Sequence, residues 1–315
     1  MKACAHLPIL PLEECARARP LLGTLVEIAA TGADAESVQM AISAAFDVVA
    51  QVHQLMSYHA DDSDISRINR AGYAGAVTIN PQTAEVLAAA EKFALASNGL
   101  FDISIAPTLT KLGFLPKREG MPRISGQGNW RHIVLSGNQV RLTRQLRIDV
   151  SGIAKGYAVD CAIAALQAAG MASGRVNAGG DLRVFGHVAQ TIHSRHPGDL
   201  VQLLPLVELT EGAAATSAGY YTQRRYQGRW VTPLINPHTR VAAGVQRSVT
   251  VLAADCMTAD ALTKVVHAAP EAAVTLLQQF NARAIMLEAD AATGTCKLFD
   301  TASHATQHWH ARLVT

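Results

Sequence analysis

The chain has 315 residues, 49% of them hydrophobic and 17% charged, with a formal net charge of +2 at pH 7. This is enough apolar mass for one large domain or two ordinary ones. Charge this close to balance, with no run of Lys or Arg, excludes a nucleic-acid tract or a polybasic membrane anchor, and no stretch reaches the roughly 20 apolar residues of a membrane span.

At the N-terminus, the apolar stretch "AHLPILPL" is broken by Pro8 and Pro11 and followed by Glu13 and Glu14, which makes a poor secretory core. The five cysteines, Cys4, Cys15, Cys161, Cys256 and Cys296, are odd in number and never form a C-x-x-C pair, which argues against a disulfide framework and a zinc site. The expectation is a cytoplasmic chain, periplasmic only if translation starts elsewhere. Residues 1–18 read as an N-terminal extension and 19–315 as the main domain, with two intertwined halves, about 19–150 and 151–315, as a possible internal division.

After Pro20, "LLGTLVEIAAT" reads as a strand, and "ADAESVQMAISAAFDVVAQVHQLMS" carries apolar residues at helical spacing. "YHADDSDISRINRAGYAGAVTIN" is polar and turn-rich. A second helix, "PQTAEVLAAAEKFALASNG", opens at Pro81 and closes at Gly99. "LFDISIAPT" alternates like a strand, "KLGFLPKREGMPRISGQGNW" is a long excursion, and "HIVLSGNQVRLTRQLRIDV" reads as two strands around a Gly-Asn turn. "SGIAKGYAVDCAIAALQAAG" is a glycine-rich loop running into a helix, "GRVNAGGDLRVFG" is strand, loop and strand, and strand-like pieces continue to about residue 253 before a last helix at "MTADALTKVV". Strands cluster in hairpins and do not alternate strictly with helices, so the expected class is α+β, with mixed or antiparallel sheets and flanking helices.

Four loops gather small residues and polar groups. In "IDVSGIAKGYAVD", Gly152 and Gly156 allow close backbone approach, Lys155 supplies a mobile cation, and the helix that follows offers unpaired N–H groups, which together suit an anionic oxygen. A structural turn with a solvated lysine is the competing reading, because the P-loop spacing is absent. "NAGGDLRVFG" places Asn177, Gly179, Gly180 and Asp181 between strands, where a plain tight turn is the simpler account. "TSAGYYTQRR" sets Thr216, Ser217 and Gly219 beside two tyrosines that are more often core or edge residues. In "MSYHADDSDISRIN", Met56 and Tyr58 form an apolar and aromatic platform before a polar run to Asn69, while Asp61, Asp62 and Asp64 lack calcium-loop spacing and read as a solvated loop.

Within "MTADALTKVV", Thr258 reads as an N-cap that would put Asp260 in the first turn among free backbone N–H groups. Asp260 and Lys264 are also spaced as an ordinary i,i+4 ion pair, so the local sequence leaves open whether the carboxylate is a ligand.

Taken in order, "RPLLGTLVEI", "MSYHADDSDISRIN", "FDISIAP", "IDVSGIAKGYAVD", "VNAGGDLRVFG", "TSAGYY" and "TADALTK" resemble the ApbE family, the FAD:protein FMN transferases, over about residues 19–265. The resemblance implies an FAD cleft, magnesium, and transfer of FMN through a phosphoester bond to a threonine of an acceptor protein, with release of AMP. It places the flavin near Met56 and Tyr58 and against Asn177, Gly179, Gly180 and Asp181, with Asn69, Asp102, Ser217 and Thr258 as further cofactor-binding positions. Lys155 lies near the dinucleotide as a binding and catalytic cation.

The metal ligands it implies are the Gly152 carbonyl, Asp260, and a threonine where this chain has Lys264; Thr263 lies one place earlier, about 100° round the helix. Either Lys264 replaces the metal, or it points away and the site keeps fewer protein ligands; the expectation is the second, with magnesium retained at lower affinity and helped by oxygens of the FAD pyrophosphate. A second departure is "PLINP", where the family carries "H-I-I-D-P": Pro233 stands for the histidine and Asn236 for the aspartate, leaving His238 as the nearest candidate base. The alternatives are an FAD-binding protein with impaired or no transfer, and a pyrophosphatase splitting FAD to FMN and AMP.

Overall fold

The computed structural model describes residues 12–118, 124, 128–290 and 296–301, and the backbone of 311–313. The first strands form a hairpin, β1 (Glu13–Leu21) and β2 (Thr24–Gly32), closed by Leu22 and Gly23. The sheet therefore begins at Glu13, inside the segment read as an extension, and Pro20 lies within β1 and does not precede it. Proline is tolerated there because β1 is the edge strand among the described residues, with no neighbour among them on its outer side.

Helix α1 (Ala35–Met56) starts at Asp34, whose side chain accepts the Ser37 N–H, and buries Val38, Ile42, Phe46 and Val49. The turn-rich segment after it holds a short helix, α2 (Asp64–Ala71), and a two-residue strand, β3 (Val77–Thr78). Asp64 is not solvated as expected. It is buried, accepts the Asn80 N–H and the Thr83 hydroxyl at 2.8 and 2.7 Å, and pairs with Arg67, stitching α2 to α3 (Pro81–Ala96). Asp61 does remain open to water.

The strand expected at "LFDISIAPT" is instead a 3-10 turn over Ile103–Ile105 followed by α4 (Ala106–Leu112). Asp102 caps the turn by accepting the Ser104 N–H at 2.8 Å, and Pro107 sits in the first turn of α4 with its φ already helical. The excursion over 111–130 lies partly outside the described residues. The hairpin of β4 (Ile133–Ser136) and β5 (Gln139–Leu142) forms around Gly137 and Asn138 as expected, and β3 completes its small sheet.

The second half supplies α5 (Ala154–Ala168), then β6 (Ser173–Ala178) and β7 (Asp181–Phe185). Further strands are β8 (Gln190–His196), β9 (Asp199–Leu209), β10 (Gly212–Ala218), β11 (Arg224–Tyr226), β12 (Arg229–Val231) and β13 (Arg247–Ala253). The chain closes with α6 (Cys256–Ala268), α7 (Pro270–Gln279), β14 (Arg283–Ala289), β15 (Cys296–Asp300) and β16 (Ala311–Leu313).

One antiparallel sheet of order β1-β2-β6-β7-β10-β13-β14-β15 draws strands from both halves of the chain, so the largest sheet belongs to neither half alone. Helices α1, α5 and α6 cover one face, where the largest apolar cluster lies. On the other face Val184, Ala214, Leu252 and Ile285 pack against Ile192, Val207 and Leu209 of the separate β16-β9-β8 sheet. The expected α+β class is observed. No helix among the described residues is long and apolar enough to cross a membrane.

Candidate active site

Helices α5 and α6 meet at their N-terminal ends, and each holds the other through an aspartate. Asp160 of α5 accepts the N–H groups of Cys256 and Met257 at 2.9 and 2.8 Å, two of the free donors at the start of α6, and also takes the Arg183 guanidinium at 2.7 Å. In return Asp260 of α6 accepts the Gly156 N–H from the first turn of α5 at 3.2 Å. Contact this close requires glycine at 156: a Cβ there would lie 2.3 Å from the Cys256 carbonyl oxygen.

The cap of α6 is Asp255, which accepts the Thr258 N–H at 2.7 Å and its hydroxyl at 3.0 Å. Thr258 is thus not the cap and its hydroxyl is turned to Asp255. Asp260 sits in the second turn, and the free N–H it meets belongs to α5. A carboxylate cap three residues before Thr258 is the stronger acceptor and moves the helix start forward.

Four charged side chains converge at this junction. Lys155 makes an ion pair with Asp181 and lies 3.9 Å from Asp260 Oδ2; Lys264 pairs with Asp260 Oδ1. Both carboxylates are almost fully enclosed, while the lysines keep 30% and 21% of their side-chain exposure. Burial would push the Asp260 carboxyl up, but Lys155, Lys264 and the Gly156 N–H hold it below the usual carboxylate range. Asp181 goes the other way, raised by burial and by the Asp260 charge against the opposing pull of both lysines. Burial alone would lower the Lys155 ammonium, yet Asp181 and Asp260 raise it above its ordinary value.

The β6–β7 turn is the tight turn that its sequence suggested, with Gly179 and Gly180 at φ of 64° and 101°, a two-residue hairpin loop in the left-handed region. It also sets Asp181, the first residue of β7, under Lys155. Asn177 holds the turn by accepting the Gly180 N–H at 3.0 Å. On β10, the Ser217 hydroxyl contacts Thr263 Oγ1 at 2.8 Å and Lys264 Nζ at 3.2 Å, and the Ser217 carbonyl accepts from His267 Nε2 at 2.9 Å. His267 is buried, and burial lowers it to about 4, so the ring is neutral at pH 7.

Two clefts open on this cluster. One, of about 380 Å³, is lined by Asp102, Gly152, Gly179, Ser217, Pro233 and Lys264 among others. The other, of about 370 Å³, is lined by Met56, Tyr58, His59 and Leu115 among others. Asp149, Ser151 and Lys155 line both, so Lys155 stands on the wall the clefts share.

Of the positions singled out from sequence, Lys155, Asp181, Asp260, Ser217, Gly152 and Gly179 come together here, and Met56 and Tyr58 line the adjoining cleft. Asn69 does not join them: its amide donates to the Ile148 carbonyl at 2.9 Å and accepts the Ile148 N–H at 2.8 Å, clamping α2 to the segment before Asp149. His238 is also elsewhere, with Nε2 held by the Asn98 carbonyl at 2.9 Å and its backbone N–H on Asn236, so it does not line the cleft as a base. Asp102 lines the first cleft, with its carboxylate committed to the N–H groups of Ser104 and Trp130.

Asp149 was missed. It is buried, its carboxyl is raised by burial against the Ser151 hydrogen bonds, and nothing in "IDVSG" separates it from an ordinary Asx turn.

The donors around Asp260 do not fit a divalent cation. The Lys264 ammonium already occupies Asp260 Oδ1, Lys155 lies against Oδ2 and takes up Asp181, and no group of three acidic, histidine or cysteine ligands exists among the described residues. A dication there would sit in contact with two ammonium groups.

The model of the ApbE family matches residues 22–286. The FAD:protein FMN transferase of Vibrio cholerae serotype O1 is 28% identical over 271 residues, 80% of each chain, and that of Chlamydia pneumoniae is 25% identical over 220 residues, 64% of this chain and 68% of the relative. Among solved structures, the flavin transferase ApbE from Vibrio cholerae superposes with a TM-score of 0.76 at 26% identity, covering 93% of this chain and 98% of that one. The ApbE protein of Thermotoga maritima gives 0.77 at 23% identity, over 90% and 96% of the chains, and shares the fold.

Proposed function

Because this chain belongs to the ApbE family of flavin transferases, we propose that it binds FAD across the two clefts and transfers FMN from it to a threonine hydroxyl of an acceptor protein. The supporting observation is Lys155, which stands on the wall shared by two clefts of similar size, where a dinucleotide spanning both would put its central diphosphate. The apolar and aromatic lining around Met56 and Tyr58 suits the flavin ring.

In this reading Lys155 and Lys264 offset the charge of the diphosphate, and the helix junction holds them in place before the substrate arrives. The threonine oxygen attacks the phosphorus of the FMN half, the bond to the AMP half breaks, and AMP leaves with the bridging oxygen. Transfer is in-line and needs positioning more than covalent participation by the protein. Pro233 offers no base on the cleft wall, so the hydroxyl proton passes to water or to Asp149, the one carboxyl among the described residues that lines both clefts.

The test is incubation of the full chain with FAD and an acceptor protein carrying a flavinylation threonine. Covalent flavin fluorescence on the denatured acceptor and stoichiometric AMP are expected. FMN and AMP without an acceptor would identify the pyrophosphatase instead. FAD bound but intact would identify a binding protein, a reading favoured by the proline at the cleft wall. Cytoplasmic residence belongs to the same proposal, on the reading of an odd number of scattered cysteines with no C-x-x-C pair.

A further inference from the structure

Lys264 does not lie along the surface of its helix. Its stem crosses Gly152, where an added Cβ would meet Cε at 3.3 Å and Cγ at 3.6 Å. Its ammonium has three hydrogens and three oxygen partners: Asp260 Oδ1, the Asp260 carbonyl at 3.0 Å and Ser217 Oγ at 3.2 Å. The donor capacity of the group is filled. Gly152, the Asp260 carboxylate and a hydroxyl therefore surround one fixed positive charge, and that charge is a side chain of this protein.

The charge balance follows. Asp181 and Asp260 carry two negative charges, and Lys155 and Lys264 carry two positive ones, so the cluster is formally neutral before any ligand enters. A dication in place of the Lys264 ammonium would make the same cluster positive by one unit.

We infer that the Lys264 ammonium takes the place of a divalent cation at Asp260, so that this chain steadies a diphosphate with two lysines and binds FAD without metal. The inference rests on the FAD reading above for its ligand, but its claim about the cation position does not. Permanent occupancy frees the site from metal supply. It also gives up one unit of positive charge toward the diphosphate, and an ammonium polarises a phosphoryl oxygen less than a metal ion does.

The experiment uses the full-length protein. Mn²⁺ alone is titrated into wild type and into Lys264→Thr, with bound ion read from the loss of the free Mn²⁺ signal in electron paramagnetic resonance. FAD affinity is then measured by flavin fluorescence in chelator and in excess Mg²⁺. Wild type is expected to bind no Mn²⁺ in the millimolar range and to hold FAD equally well under both conditions. K264T is expected to gain one Mn²⁺ site, and its FAD affinity is expected to fall roughly tenfold in chelator and to recover with Mg²⁺.

One tightly bound Mn²⁺ in wild type, or wild-type FAD binding that requires Mg²⁺, overturns the inference. So does a folded K264T that binds no Mn²⁺. The wild-type arms decide the matter even if K264T fails to fold. If FAD binds under no condition, the FAD reading falls while the Mn²⁺ titration still answers for Lys264.

Discussion

Asp260 reaches out of α6 to accept the backbone N–H of Gly156, 3.2 Å away in the first turn of α5. Asp160 makes the converse contact with the start of α6, so the two helices share a crossed pair of caps, and the catalytic candidates are fixed by main-chain geometry. Lys155 immediately precedes Gly156 and Lys264 lies one turn after Asp260. The same contact that joins the helices thereby sets the spacing of the two ammonium groups.

Gly156→Ala tests this junction. The added Cβ would lie 2.3 Å from the Cys256 carbonyl oxygen and 2.8 Å from the Met257 Cα, both backbone atoms that cannot turn aside. Alanine would otherwise favour the helix by up to about 1 kcal/mol, so the variant separates propensity from packing. A net loss of about 2 kcal/mol in urea unfolding is expected, because overpacking typically costs 1–3 kcal/mol. An unchanged or raised midpoint would show that α5 and α6 do not need this approach.

Much of this junction could be read from the chain, for identifiable reasons. Glycines at 152 and 156, the Gly179-Gly180 turn and the Asp260–Lys264 spacing are local patterns, and each marks a backbone approach or a shared helix face that the fold contains. The direction of Lys264 could not be read, since it depends on Gly152 and Ser217, which arrive from a distant loop and strand. From sequence Thr258 looks like the helix cap, because Asp255 lies outside the segment whose apolar spacing marks the helix. The alternation of Phe101, Ile103 and Ile105 suits a strand or a tight helical turn equally; Pro107 and the Asp102 cap decide it. Asn69 and His238 look like site residues by composition, yet each spends its side chain on a backbone carbonyl that only tertiary structure brings near.

Lys155→Met should remove the cation on the shared wall and leave Asp181 enclosed without its partner. FMN transfer is expected to fall on the order of 10²-fold, the usual effect of losing one preorganised group that stabilises developing charge. Stability should change with a definite sign. Burial and Asp260 already raise the Asp181 carboxyl, and loss of Lys155 raises it further, so the folded variant holds a proton that the unfolded chain releases. The variant should therefore lose more stability at about pH 8 than at about pH 5 in parallel urea titrations. Equal losses at both would mean that Lys155 does not neutralise Asp181.

Pro233→His restores an imidazole to the cleft wall that Pro233 lines. If proton removal from the acceptor hydroxyl limits transfer, the variant should gain roughly 10²- to 10⁴-fold in rate, with a new inflection near the ordinary histidine value of about 6.5. AMP release with acceptor present is the measurement. A rate within error of wild type, with FAD still bound, would place the limiting step elsewhere, in binding or in departure of AMP.

His267 connects stability to the site. Its Nε2 holds the Ser217 carbonyl at 2.9 Å, and Nδ1 is buried without a partner among the described residues. Burial, with smaller contributions from Arg247 and Lys264, outweighs the Ser217 bond and lowers the ring from 6.5 to about 4. The unfolded chain then binds a proton between those values that the folded chain refuses. Stability is fully present above about 6.5 and declines as pH falls toward 4, by roughly 3 kcal/mol over the window. His267→Gln keeps a donor for the Ser217 carbonyl and cannot titrate. Its unfolding free energy should therefore hold nearly level relative to wild type's decline, and the difference between the two profiles isolates this residue from the carboxylates that also protonate. Parallel profiles would show that the ring is protonated in the folded state, with a partner for Nδ1. Because the Ser217 hydroxyl contacts Lys264, loosening of this strut in acid should weaken FAD binding in wild type before it does so in the variant.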